Sequence, residues 1–251
     1  MEMLATIEIK NQQFKFDLNQ PLDLSIPIMA GKENVNAFYL DPVTYVPFQA
    51  GSFIGDVKQG GSCNVKTITI NPHGNGTHTE TVGHISKENF PIRNALKKTF
   101  FTAIVISISP ENENGAKVIN LSQVSQLNLQ NAEALIIRTL PNSSDKKTFQ
   151  YSGTNPTYMS SDAAKCLASN GIEHLLLDFP SIDKEDDGGL LLAHHAFWNY
   201  PQNPREHCTI SELIFVDNSI EDGFYLLDLQ FGAFDIDASP SRPILYRLNA
   251  V

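Results

Sequence analysis

Between Asn71 and His84 the chain reads Asn-Pro-His-Gly-Asn-Gly-Thr-His-Thr-Glu-Thr-Val-Gly-His, gathering three of its seven histidines and one carboxylate into a short segment. His78 and Glu80 are two residues apart, so on an extended strand both side chains leave the same face. An imidazole nitrogen and a carboxylate oxygen that converge on one point suit a borderline divalent ion such as Zn²⁺ or Mn²⁺. Gly74, Gly76 and Gly83 permit the tight backbone that brings further ligands in. One histidine in a polar, glycine-rich loop usually does no more than satisfy backbone groups. Three histidines and a glutamate at these spacings point to a metal or catalytic site.

A second constellation lies late in the chain, where Leu192-Ala-His-His-Ala-Phe-Trp198 precedes Thr209-Ile-Ser-Glu212. Read as an extended segment, the adjacent His194 and His195 face opposite ways, so at most one of them points into a shared site. Glu212 stands in an otherwise apolar strand, where an unpaired carboxylate is costly. It is therefore either salt-bridged to a Lys or Arg, or a metal ligand or acid–base group. Asp178 and Asp183 bracket the end of a buried strand, the usual edge for sites in open α/β sheets, and read first as turn formers and a helix cap. His174 and His207 read as ordinary surface histidines.

The elements that must position these groups are legible from periodicity. Residues 5–10 and 13–17 alternate with period two across a short polar turn and predict a hairpin. Prolines at 21 and 27 keep the next segment extended, and residues 31–62 read as a long ordered loop of the kind that is often functional. A strand over 65–70 delivers the chain into the histidine-rich segment. Beyond it, buried strands at 100–108, 134–138 and 173–178 alternate with helices at 120–124 and 160–168, followed by strand-like stretches at 208–215 and 223–230. This alternation predicts an α/β chain, a mixed β-sheet with flanking helices, in a single domain spanning 1–251.

Composition excludes several classes. The chain has 251 residues, 41% apolar and 18% charged, an ordinary globular balance. A formal charge of −10 gives phosphate backbones no attraction, so no nucleic-acid partner is expected. Three scattered cysteines without a C-x-x-C pair argue against a disulfide framework and a cysteine-bound zinc. No apolar run is long enough for a membrane span, and the N-terminus lacks a basic-then-apolar leader. No membrane partner and a cytoplasmic location are expected.

With these residues in view, the chain resembles the cyclase-like family of metal-dependent hydrolases, which includes bacterial kynurenine formamidase and isatin hydrolase. The family signature H-x-G-T-H-x-D-x-P-x-H is matched by Gly76-Thr77-His78, by Glu80 on the Asp position and by His84 on the final His. Asp23-Leu-Ser-Ile-Pro27, Asp178-Phe-Pro-Ser-Ile-Asp183, Ala193-His194, Glu212-Leu213 and Pro240-Ser-Arg242 resemble the other family segments in the same order. The resemblance implies a cyclase-like swivelling β/β/α fold and hydrolysis of a small cyclic or acyl amide, such as an aryl formamide. It implies a site in which His73, His78, Glu80, His194 and Glu212 hold one or two Zn or Mn ions, with His195 as the alternate to His194. His84 takes the acid–base role, and a homodimer or homotetramer is implied.

The implied chemistry is sound in itself. Amide hydrolysis needs a nucleophile at neutral pH and help for the developing oxyanion, and a divalent ion supplies both. A histidine within reach takes and returns the proton. Phe53 and Trp198 are expected to wall a pocket for an aryl substrate. Three departures stand out. Gly74 occupies the register of the first motif histidine, with His73 one residue early, so that either a bulge re-aims His73 or that ligand is lost. Glu80 is one methylene longer than Asp, and Val82 replaces the motif proline. Two rival readings remain: a cupin-like metal enzyme, which requires an all-β chain, and a non-catalytic small-molecule-binding protein of the same fold.

Overall fold

The computed structural model describes residues 3–129 and 132–251. A nine-stranded mixed sheet organises it, in the order Ala238–Pro240, His78–Glu80, Thr209–Glu212, His174–Leu177, Ala134–Thr139, Phe100–Ile108, Gly223–Asp228, Ile244–Arg247, Leu22–Asp23. The four strands from Phe100–Ile108 to Thr209–Glu212 run parallel to one another. The flanking strands join antiparallel on both sides. Strands buried on both faces read as continuous apolar runs rather than alternating ones, and the Ala134–Thr139 and His174–Leu177 strands are buried at every residue. The parallel pairs with their helical crossovers exclude the all-β cupin-like reading.

Two cores sandwich the sheet. On one face Leu135, Ile137, Leu175, Leu177 and Ile210 meet the helices Ser161–Ser169 and Leu192–Trp198. On the other, Ile136, Leu176, Val105 and Leu227 pack under Leu24 and the 214–220 segment. The Ser161–Ser169 helix starts where the sequence predicts, because the Ser160 hydroxyl accepts the Ala163 N–H at 3.3 Å. Losing such a cap costs ~1 kcal/mol.

The His194 segment, expected to be extended, is a helix. Ala193, Phe197 and Trp198 are buried at helical spacing. The orphan N–H groups of the first turn are taken by carboxylates from outside the helix. Asp183 accepts from Ala193 and His194, and Asp187 accepts from Leu191. An N-terminus capped from ten residues upstream has no adjacent Ser/Thr/Asn signal, which is why the sequence hides it.

The 31–62 segment is less loop-like than expected. Thr44–Pro47 pairs with Lys66–Thr69, and Gln49–Ala50 pairs with Phe53–Ile54. The first ribbon leaves Tyr45, Val46 and Ile68 exposed. No helix among the described residues is long and apolar enough to cross a membrane.

Candidate metal centre

The His78–Glu80 strand lies between Thr209–Glu212 and Ala238–Pro240, and its register sets Glu212 directly opposite His78. Directly opposed residues project from the same face, so His78, Glu80 and Glu212 leave the sheet together. Thr79, pointing the other way, shares a hydrogen bond with Ser211. Thr77 fixes the entry to the strand: its hydroxyl accepts the Ile26 N–H and donates to the Leu213 carbonyl.

His73 arrives differently from the expected bulge. Pro72–Asn75 forms a single helical turn, with the Asn71 side chain accepting the His73 N–H. Gly74, in the register of the motif histidine, has no room for a side chain. A Cβ there would sit 2.9 Å from the Ala37 carbonyl oxygen and 2.6 Å from Leu40 Cδ1. The turn presents His73 to the cluster instead.

Glu80 is the hub. Its Oε1 accepts from His194 Nε2 at 3.1 Å, and its Oε2 lies 3.0 Å from His73 Nδ1 and 3.8 Å from His84 Nδ1. Glu212 Oε2 is 3.5 Å from His78 Nε2, while its Oε1 accepts the Ile182 N–H at 2.7 Å. No Lys or Arg pairs with Glu212 among the described residues, so the salt-bridge alternative falls away.

The far nitrogen of each inner histidine is committed. His78 Nδ1 donates to the Gly76 carbonyl at 3.0 Å, His194 Nδ1 to Asp183 at 2.7 Å and His73 Nε2 to Asp237 at 2.9 Å. Such hydrogen bonds fix the ring and its tautomer, the arrangement usual around metal-binding histidines.

Two buried atoms at the centre, His78 Nε2 and Glu80 Oε2, have no hydrogen-bond partner. An unused lone pair in the interior is costly. Nitrogen and carboxylate donors around it are the set a borderline divalent ion takes, so the residues present fit such an ion.

The charges show the same tension. Burial opposes a charged His194, yet hydrogen bonds to Asp183 and Glu80 hold its pKa up at about 10. His73 is likewise desolvated and likewise held at about 10 by Asp237 and Glu80. Burial works against ionised Glu80, but the surrounding imidazoles, His84 first, keep its carboxyl well below the ordinary range.

His84 differs from the inner histidines. It stacks on His73 at 4.3 Å between ring centroids, is partly exposed, and has only the longer approaches to Glu80 and, at 3.5 Å, to Asp237. A cavity of about 390 Å³ opens onto it and onto His73, His194 and Glu212, walled by Phe38, Leu40 and Leu191, with Lys184 on its lining.

Of the residues singled out from sequence, His73, His78, Glu80, His84, His194 and Glu212 therefore come together. His195 does not, since its Nδ1 binds the Tyr200 carbonyl. Trp198, expected in the pocket wall, is fully buried behind His194, stacked on it at 5.4 Å, with its indole N–H on the Cys208 carbonyl. Phe53, the other expected wall, sits in the small ribbon against Phe48 and does not line the cavity. Phe38 takes the aromatic position instead. His174, expected at the surface, is buried in the central sheet with Nδ1 on the Thr209 hydroxyl. Asp237 was invisible to sequence reasoning, because its partner His73 is 164 residues away.

Comparison with known proteins follows the same lines. The sequence model of the Cyclase family matches residues 16–184. Kynurenine formamidase of Bacillus anthracis is 25% identical over 232 residues, covering 91% of this chain and 95% of that protein. That of Bacillus cereus (strain ATCC 10987 / NRS 248) is 27% identical over 191 residues, 75% of this chain and 82% of its own length. Isatin hydrolase A from Labrenzia aggregata, solved with benzyl benzoate, aligns with a TM-score of 0.65 at 11% identity, covering 90% of this chain and 93% of that one. A structure described as a potential metal-dependent hydrolase with cyclase activity gives 0.64 at 17% identity, over 91% and 98%. At these identities the structural likenesses carry the fold, and they match the expected mixed-sheet α/β architecture.

Proposed function

This chain belongs to the Cyclase family, and from that premise and the geometry of its centre we propose that it is a metal-dependent hydrolase of carbon–nitrogen bonds other than peptide bonds. Its substrate is a small acyl or cyclic amide, with an aryl formamide such as N-formylkynurenine, cleaved to kynurenine and formate, as the leading case. The kynurenine formamidases, similar over most of their length, support that substrate class. The observation that carries the reading is a pair of buried atoms without a hydrogen bond, His78 Nε2 and Glu80 Oε2, inside a ring of ligand-type side chains.

His73, His78, Glu80, His194 and Glu212 would hold zinc or manganese, one or two ions per chain. When bound, the ion supplies positive charge that polarises the amide carbonyl and favours ionisation of water. The rest of the reaction falls to the chain's own residues. Phe38, Leu40 and Leu191 hold the apolar body of the substrate and exclude water around it. His84, beside Asp237 and Glu80, takes the proton of the attacking water onto its imidazole. It then returns the proton to the leaving nitrogen as the C–N bond breaks.

The same reading includes a homodimer or homotetramer. A two-stranded ribbon is at best marginally stable alone, and the exposed Tyr45, Val46 and Ile68 on the Thr44–Pro47/Lys66–Thr69 ribbon suit burial against another copy. A cytoplasmic setting fits the three unpaired cysteines.

One preparation tests the proposal. Purified protein is analysed for metal, assayed for hydrolysis of an aryl formamide, and sized by light scattering. About one or two equivalents of zinc or manganese, chelator-sensitive hydrolysis and a mass above one chain are expected, with His78→Ala losing metal and rate together. A folded but metal-free, inactive protein would instead favour the binding-protein alternative.

A further inference from the structure

At one ligand the centre departs from its family's motif by the position of the residue itself. Gly74 stands where the first histidine belongs, and the space around it admits no side chain. His73 takes the place from a one-turn helix that also presents it to the cavity, so its ring is partly exposed. The ring stacks on His84 and lies edge-on to His78, and the hydrogen bond that sets which nitrogen faces the centre comes from Asp237, whose Oδ2 accepts from His73 Nε2 at 2.9 Å.

We propose that Asp237 is the positioning residue that makes His73 a metal ligand in this chain, offsetting the displaced motif histidine. The inference rests on the metal-centre reading above. Three observations carry it. First, it completes a pattern: His78 is oriented by the Gly76 carbonyl, His194 by Asp183 and His73 by Asp237. Second, with Nε2–H given to Asp237, the nitrogen left to meet a metal in exchange for its proton is Nδ1, the atom 3.0 Å from Glu80 Oε2 and turned towards the centre. Third, Asp237 is itself held. The Thr81 N–H donates to its backbone carbonyl, so the strand that carries Glu80 and the loop that carries Asp237 are tied one residue beyond Glu80.

A competing arrangement exists, in which His73, His84 and Asp237 bind a second ion of their own. An ion shared with Asp237 would be met by His73 Nε2, the nitrogen that faces that carboxylate, and a coordinating Nε2 cannot keep its hydrogen bond to Asp237. Unpartnered buried atoms lie in the inner cluster, whereas the Asp237 oxygen already has its donor. The geometry therefore favours positioning.

The test measures zinc affinity on the metal-stripped full chain without substrate, with Co²⁺ spectra as a second readout of ligand geometry. Asp237→Ala is expected to weaken zinc binding by ~10–100-fold, the usual range for losing such a partner, with saturating stoichiometry unchanged and an altered Co²⁺ spectrum. Asp237→Asn, which keeps an acceptor oxygen, should recover part of the affinity. In a His73→Ala background Asp237→Ala should add nothing, because coupled residues are non-additive.

Unchanged affinity in Asp237→Ala, or additive losses in the double variant, would overturn the inference. Loss of a whole equivalent of zinc at saturation would also overturn it, by making Asp237 a ligand. Hydrolysis is not part of the readout. A protein whose zinc affinity depends on Asp237 yet does not cleave amides sinks the activity reading alone, and one that binds no zinc sinks both.

Discussion

Two buried polar clusters sit at the carboxyl ends of the parallel strands, and they have opposite characters. In the first, Asp178 accepts from the Thr139 N–H, the Thr139 hydroxyl and the Lys146 ammonium, while Lys146 also donates to the Thr139 carbonyl and to Asn142. Every polar atom there is engaged. In the second, around Glu80, burial is as complete but His78 Nε2 and Glu80 Oε2 remain open. Even the acidities diverge. Burial drives the Asp178 carboxyl upward against the pull of Lys146, whereas the imidazoles around Glu80 overcome burial and drive its carboxyl down. Burial alone does not distinguish a site from a brace. Unused bonding capacity does.

The largest expected effect lies at the edge of the open cluster. His84 has no short hydrogen bond among the described partners and faces the cavity. His84→Ala should therefore keep its bound metal while kcat falls by ~10²–10⁴-fold, the range for losing a general acid–base. Metal content and rate measured on one preparation decide it. Metal lost in step with rate would make His84 a ligand, and full activity would place proton transfer elsewhere, with Glu212 the next candidate.

The closed cluster should answer in the opposite currency. Lys146→Met leaves Asp178 buried without its cation, and removing one partner of a buried ion pair typically costs about 3–5 kcal/mol. Urea unfolding of the metal-free protein should show that loss, discounted if Asp178 protonates, while zinc affinity stays at the wild-type value. A variant with unchanged stability and weakened zinc would dissolve the contrast between the clusters.

The unequal legibility of the two clusters has a physical origin. His78, Glu80 and His84 could be read because strand periodicity and a compact motif put them on one face within a few residues of each other. Glu212 could be read because a carboxylate in an apolar strand demands an explanation, and the alternation of buried strands with helices was enough for the sheet. Two of the misses depend on partners that no short window of sequence contains. Asp237 reaches His73 across the sheet edge. The helix holding His194 is capped by Asp183, which reads as a helix cap but lies ten residues ahead in the loop leading into the helix, so nothing adjacent marks where the helix starts, and with the helix unrecognised the burial of Trp198 behind His194 could not be foreseen. Phe53 was credited for being aromatic, yet the ribbon that carries it leads away from the cavity lined by Phe38.

His174 sharpens the comparison from the opposite end of the same strands. It begins the central strand, fully buried, with Phe101 packed at 4.0 Å between ring centroids and Nδ1 on the Thr209 hydroxyl. Burial comes first among the influences on it and pushes its pKa down to about 3. Lys98, Arg205 and His207 add to that, and Glu133 alone opposes. The folded state therefore holds His174 neutral where the unfolded chain, titrating near the ordinary value of about 6.5, takes up a proton. Above pH 6.5 the residue contributes nothing to the pH dependence. As pH falls from there towards 3 the unfolded state binds the extra proton, and stability drops by ~1.4 kcal/mol per pH unit, about 2 kcal/mol by pH 5. His174→Gln, which retains an amide to meet Thr209, removes that proton uptake. The stability difference between wild type and variant, from urea unfolding of metal-free protein, should shrink by about 2 kcal/mol between pH 8 and pH 5. Protonation of the metal centre is common to both proteins and cancels. Parallel pH curves would mean that His174 is charged when folded, or that water reaches it, and a buried histidine with a single hydrogen bond would then no longer count as a closed, purely structural group.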